Sequence, residues 1–189
     1  MPRWEQGAED RLREAALELY LKHGYDNVTV AQITERAGLT RRTFSRYFAD
    51  KRDVLFAGSE RLPLALADAV LTADAALTPF RALMAALEQV GEMVAERVAP
   101  HAAQRRAVVA GSAELQERER TKFAVVADSV EAALRQRGVA PSTAALLADV
   151  GVAVFRTAFG RWADRPDAGT LVERLREAAA ELADALDPR

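Results

Sequence analysis

No cysteine occurs in the 189 residues, so disulfides, thiolate metal sites and cysteine nucleophiles are excluded. That usage suits a reducing compartment, and a cytoplasmic location is expected. Histidine is nearly absent too. His23 and His101 have no Asp, Ser or second metal ligand at a recognisable spacing, and no glycine-rich phosphate loop is present. An enzyme, a cofactor and a metal centre are therefore not expected. No segment alternates apolar and polar residues with period two, so no strand is expected. The opening MPRWEQGAEDRLR is too charged for a secretory signal. No apolar run is read as a bilayer span, so no membrane partner is expected. Aromatics make up 6% of a chain that is 50% apolar, which leaves the core to Ala, Leu and Val and favours helix. The net charge of −2 argues against non-specific coating of nucleic acid but leaves room for a local basic patch.

Such a patch exists between Val28 and Arg52, VTVAQITERAGLTRRTFSRYFADKR. Thr29 followed by Gln32 is a capping-box start. Ile33 and Ala37 share one helical face, and Gly38 is a helix stop. Thr40 is a second N-cap, with Phe44 and Phe48 one turn apart on the helix it opens. This spacing is that of a helix-turn-helix, whose second helix can enter the major groove of DNA. With Phe44 inward, Arg42 and Arg46 point outward, flanked by Thr43 and Ser45. From Arg36 to Arg52 stand six cations (Arg36, Arg41, Arg42, Arg46, Lys51, Arg52) and one acid, Asp50, a local charge of about +5. Guanidinium groups on an exposed helix suit phosphate oxygens and the guanine edge.

In chain order, residues 1–7 read as a short arm in which Arg3 is a possible DNA contact. A first helix over Ala8–His23 carries the stripe Leu12, Ala15, Ala16, Leu19 and Tyr20 and stops at Gly24, with Tyr25 as a loop anchor. Leu12, Ala16, Leu19, Ile33, Ala37, Phe44, Phe48 and Leu55 would form a thin core, marginal on its own. Asp50 is the N-cap of a fourth helix whose stripe continues through Val54, Leu55, Leu62, Leu66 and Val70, with a kink at Pro63. Helices then follow over about 78–99, 100–111, 112–138, 141–164 and 170–186. The domain division is residues 1–50 for DNA and 51–189 for ligand and dimerisation.

The segment YLKHGYDNVTVAQITERAGLTRRTFSRYFADKRDVL resembles the N-terminal domain of the TetR family of bacterial transcriptional regulators. The G-Y-x-x-x-T start, the A-G-L-T turn, T-F-x-x-Y-F and D-K-x-x-L stand at the family's spacing. The resemblance implies an all-α dimer of about nine helices, with an N-terminal three-helix helix-turn-helix domain and a C-terminal helical ligand-binding and dimerisation domain. It places Thr29 at a phosphate-binding helix start, puts Arg41, Arg42, Thr43, Ser45, Arg46 and Tyr47 on the face toward DNA, and gives Lys51 a backbone phosphate. Ser45 stands where the family usually has Tyr, which shifts work to Arg41, Arg42 or Arg46. The run R-R-T-F-x-R-Y-F is similar to a subgroup linked to acyl-CoA-like ligands.

The expected action is that of a repressor binding a palindromic operator as a dimer, its recognition helices about 34 Å apart in successive major grooves. Arg42 and Arg46 would read bases; Thr29, Tyr47 and Lys51 would hold phosphates. Dimer candidates are Val150, Gly151, Val154, Ala158, Leu171, Leu175, Ala178 and Leu182, which could equally close the monomer's core. Ligand candidates for a hydrophobic or acyl-CoA-like effector are Phe80, Met84, Leu87, Met93, Phe123, Phe155, Phe159 and Trp162, each of which could also be plain core. Arg161 would meet an anionic group or simply favour a helix C-terminus. Effector binding would shift the population away from DNA-competent spacing, through a lever over Asp50 to about Ala75. The alternative is a DNA-binding activator or architectural factor with no effector.

Overall fold

The computed structural model describes residues 7–186; Arg3 lies outside them. Among the described residues the chain is all-α, with ten α-helices: α1 Ala8–His23, α2 Val30–Ala37, α3 Arg41–Tyr47, α4 Asp53–Phe56, α5 Leu62–Thr72, α6 Pro79–Val98, α7 Ala102–Ala110, α8 Ala113–Gln136, α9 Pro141–Asp164 and α10 Leu171–Leu186. They form two compact units. Among the described residues one takes in 7–60 and Ala103–Glu119, the other Arg61–Ala102 and 120–186. The first unit thus extends past residue 50, where sequence reasoning divides the chain, and recruits a stretch from much later in it.

In the first unit α1 packs on α2, α3 and α4. Thr29 and Gln32 make the capping box: the Thr29 N–H donates to Gln32 Oε1 at 2.8 Å, and the Gln32 N–H to Thr29 Oγ1 at 3.3 Å. Gly38 ends α2 in the left-handed region at φ 64°, which costs other residues more. Thr40 Oγ1 accepts from the Thr43 N–H at 3.1 Å and opens α3. Leu12, Ala16, Ile33, Ala37, Phe44, Phe48 and Leu55 are buried as expected, whereas Leu19 is only half-buried and Leu17 replaces it. Val108, Val109 and Leu115 complete this core.

The helix after α3 does not run on to a kink at Pro63. The N-cap of α4 is Arg52, not Asp50 as expected; the Asp50 carboxylate instead caps the turn leading into the helix, accepting from the Arg52 and Asp53 N–H groups at 2.8 and 3.0 Å. The helix then ends at Phe56. Gly58, at φ 80°, breaks the chain direction, and a 3-10 turn over Ser59–Arg61 leads to α5. Pro63 lies in the first turn of α5, where its missing N–H has no partner to lose. The expected lever is therefore two short helices, not one long one.

In the second unit α6 packs on α5, α9 and α10, and α9 on α10. Glycines allow close approach: a Cβ on Gly151 would lie 2.9 Å from Leu83 Cδ2, and one on Gly91 3.0 Å from Leu175 Cδ1. Arg137 closes the end of α5. Its guanidinium donates to the carbonyl of Val70 in the last turn, which a helix end leaves without a helical partner, and to those of Ala73 and Asp74 just past it, at 3.1, 2.6 and 2.9 Å. By length and composition α9, 24 residues long, could cross a membrane, contrary to the sequence reading. Its apolar side chains Ala144, Ala148, Val154, Phe155, Ala158 and Trp162 are instead buried within its own unit.

Candidate nucleic-acid interface

α3 is short, and its two faces differ sharply. Phe44 and Phe48 are 2% exposed with their rings 5.4 Å apart, so they pin the helix to α1 and α2. Arg41, Arg42, Ser45 and Arg46 are exposed, while Thr43 and Tyr47 are half-buried. The Thr43 hydroxyl lies 3.0 Å from that of Thr40. Arg46 is folded onto Tyr47: Nη2 donates to the phenol oxygen at 2.7 Å and the guanidinium carbon stands 4.8 Å from the ring centroid.

The six cations counted in the sequence do not form one patch. Arg36 pairs with Glu18 at 2.7 Å. Arg52 pairs with Asp50 at 2.5 Å and Glu114 at 3.3 Å. The hydrogen bond from Arg52 holds the Asp50 carboxyl below the usual carboxylate range. Lys51 turns back into its own unit, Nζ donating to the carbonyls of Tyr25, Val28 and Asp26 at 2.9, 3.0 and 3.3 Å. Arg36 and Arg52 are exposed as well; Arg41, Arg42 and Arg46 are the three exposed arginines that stand on α3.

Two anchors had no signal in the sequence. Arg11, on α1, donates to the carbonyls of Ala37 and Gly38 and so caps the end of α2 at the turn. Arg105, on α7, donates Nε to the Leu55 carbonyl at 2.7 Å and both terminal nitrogens to Glu119 at 3.1 Å, with its guanidinium 4.9 Å from the Phe56 ring centroid. Neither is near its partners in sequence, and both look like ordinary surface arginines there.

A family model described as bacterial regulatory proteins, tetR family, matches residues 12–57, the span from α1 to just past the end of α4. The match is to residues 12–57 alone, so it is this segment that resembles the family. The chain is 36% identical over 81 residues to the HTH-type transcriptional regulator TcmR of Streptomyces glaucescens. That match covers 43% of this chain but only 36% of TcmR, little more than a third of the relative's length. Among solved structures, SmeT, the repressor of the Stenotrophomonas maltophilia multidrug efflux pump SmeDEF, superposes with TM-score 0.57 at 23% identity over 92% of this chain and 87% of that one. The TetR-family transcriptional regulator PfmR of Thermus thermophilus gives 0.54 at 21% over 95% and 100%. These two likenesses are of fold.

The second unit holds an apolar cavity of about 10 Å³, about the room of one water. Its walls are Leu62, Leu66, Leu83, Leu87, Phe123, Val126, Val130, Ala148, Gly151, Val152 and Phe155. Of the ligand candidates, Leu87, Phe123 and Phe155 line it. Phe159 and Trp162 continue an aromatic row from Phe155, with centroids 5.9 and 5.6 Å apart. Met84 is buried, Phe80 half-buried, and Met93 exposed. Arg161 is exposed and binds Glu181 of α10 through two contacts of 2.7 and 2.8 Å, which hold the Glu181 carboxyl below its ordinary range. Of the dimer candidates, Gly151, Val154, Ala158, Leu171, Leu175 and Ala178 are buried in their own chain, and Val150 and Leu182 are half-buried.

Proposed function

We propose that the protein is a sequence-specific DNA-binding transcriptional regulator, acting in the cytoplasm as a homodimeric repressor of a palindromic operator. The observation that carries this is α3: two buried phenylalanines fix it in a helix-turn-helix, and Arg41, Arg42, Ser45 and Arg46 project from its other face. Arg42 suits base reading, because a guanidinium can grip guanine at two atoms. Arg46, already held against Tyr47, suits a phosphate clamp better than the base-reading role its sequence position suggests. Thr29 and Tyr47 suit phosphate contacts beside it. A second copy would meet α9 on side chains other than the buried small residues; Leu146, 63% exposed, and Ala153 are available there.

The hydrocarbon wall around Phe123 and Phe155 suits a small apolar effector more than an acyl-CoA-like one, since its side chains offer nothing to a thioester or nucleotide. The same cavity's small volume favours the second reading, a regulator that binds DNA without an effector.

The test is selection of bound DNA from a random pool, then salt titrations on the selected and a scrambled duplex. A palindrome with half-sites about one helical turn apart, or a multiple of it, is expected. Arg42→Ala should cost about 1–3 kcal/mol on the selected site and much less on the scrambled one. Equal losses on both would remove Arg42 from base reading, and no selected sequence would refute the function.

A further inference from the structure

The stretch Gly24–Val28 joins α1 to α2 and sets where Thr29 and the first N–H groups of α2 stand. It has no helix of its own to satisfy its carbonyls. Those of Tyr25, Asp26 and Val28 converge on one point, and the Lys51 ammonium occupies it at 2.9, 3.3 and 3.0 Å. An ammonium has three donors, and here there is one carbonyl for each. The ring of Tyr25, itself 4% exposed, lies 4.2 Å from the same nitrogen. The backbone of Lys51 is held as well, since the Tyr20 hydroxyl donates to its carbonyl at 2.7 Å. Tyr20 and Tyr25 meet edge to face at 5.3 Å, and burial pushes both phenols' pKa upward.

We infer that Lys51 is a positioning residue. It staples the α1–α2 loop and thereby presents Thr29 and the start of α2 to DNA, and it is not itself a phosphate ligand. To reach a phosphate the ammonium would have to leave three carbonyls and an aromatic face. The staple fits a compact ammonium: a guanidinium can also donate to three carbonyls, as that of Arg137 does, but it is a larger planar fork, so at position 51 it would shift the loop it holds. The inference rests on the DNA-binding reading proposed above.

The experiment compares wild type, Lys51→Met and Lys51→Arg as full-length chains on the selected duplex. Folded fractions come from denaturation curves, and measurements are made well below each midpoint. A phosphate ligand predicts that Lys51→Met lowers the salt slope by about 1 and that Lys51→Arg restores slope and affinity. The staple predicts that both variants weaken binding on the order of tenfold, corrected for folded fraction, with the salt slope of wild type. A slope lowered in Lys51→Met and restored in Lys51→Arg overturns the inference. Lower stability with unchanged affinity of the folded fraction also overturns it, because Lys51 would then be structural only. If wild type selects no DNA, the functional reading fails separately. Amide exchange over residues 25–32 then decides the staple: acceleration of about tenfold or more in both variants supports it, and unchanged exchange overturns it.

Discussion

Replacing Arg105 by methionine should loosen the helix-turn-helix unit although Arg105 lies far from α3 in sequence. The methionine keeps much of the stem's packing and removes three hydrogen bonds, to the Leu55 carbonyl and to Glu119, and the cation above Phe56. Hydrogen bonds to charged groups contribute about 1.5–3 kcal/mol each when one partner is deleted. These are not additive. The side chains of Arg105 and Glu119 are also 16% and 29% exposed, so water replaces part of what is lost. A loss of about 2–3 kcal/mol for this unit is the reasonable sum. Because two units are present, a single unfolding midpoint would blur the effect. Hydrogen exchange read by mass spectrometry on peptides from residues 41–57 and 103–119 isolates it. Those amides should exchange roughly 30- to 150-fold faster, while peptides from α9 and α10 keep their rates. A cycle with Glu119→Gln should show a coupling of about 1 kcal/mol. Acceleration under about threefold would mean that the 103–119 stretch is not fastened to α4 by Arg105, and would refute the reasoning.

Other outcomes are expected from single sites. Gly38→Ala forces a Cβ into the left-handed region, 3.2 Å from the Arg11 nitrogen that caps α2; a loss of about 1–2 kcal/mol should show in calorimetry as a lower midpoint, and an unchanged midpoint would show that the turn relaxes freely. Asp50 has a lowered folded pKa, chiefly through Arg52. Its contribution is therefore complete above the unfolded value of about 3.9 and is lost as pH falls through the folded value. Asp50→Asn should then destabilise at neutral pH and flatten the acid limb of a stability–pH curve; two parallel curves would exclude Asp50 as a source of that limb.

The helices were legible because their signals are local. Thr29 with Gln32, Gly38, Thr40, and Phe44 with Phe48 each act across one turn, and the structure uses each as the spacing suggests. Pro63 misled because a proline reads alike as a kink and as a first-turn residue. Gly58, five residues earlier, was the actual break. The basic patch was legible as composition but not as surface, since Arg36, Lys51 and Arg52 have partners inside the unit. The small residues of α9 and α10 were ambiguous for a physical reason: close packing asks for the same residues whether the partner helix is in the same chain or another. Here Gly151 meets Leu83 and Gly91 meets Leu175 within the chain.

By itself, then, the sequence determined the helical class, the helix-turn-helix and the outward arginines of α3. Those depend on i to i+4 spacings and on caps, which a linear reading contains. Tertiary structure decided that Arg36 and Arg52 are ion-paired, that residues 103–119 belong with the first unit, and what Lys51 holds. Each of these turns on an acceptor distant in the chain: Lys51 on carbonyls 23 to 26 residues away, Arg105 on one 50 away, and Arg137 on one 67 away. A backbone carbonyl has no residue-type signature, so no pattern of side chains announces where such a partner will stand.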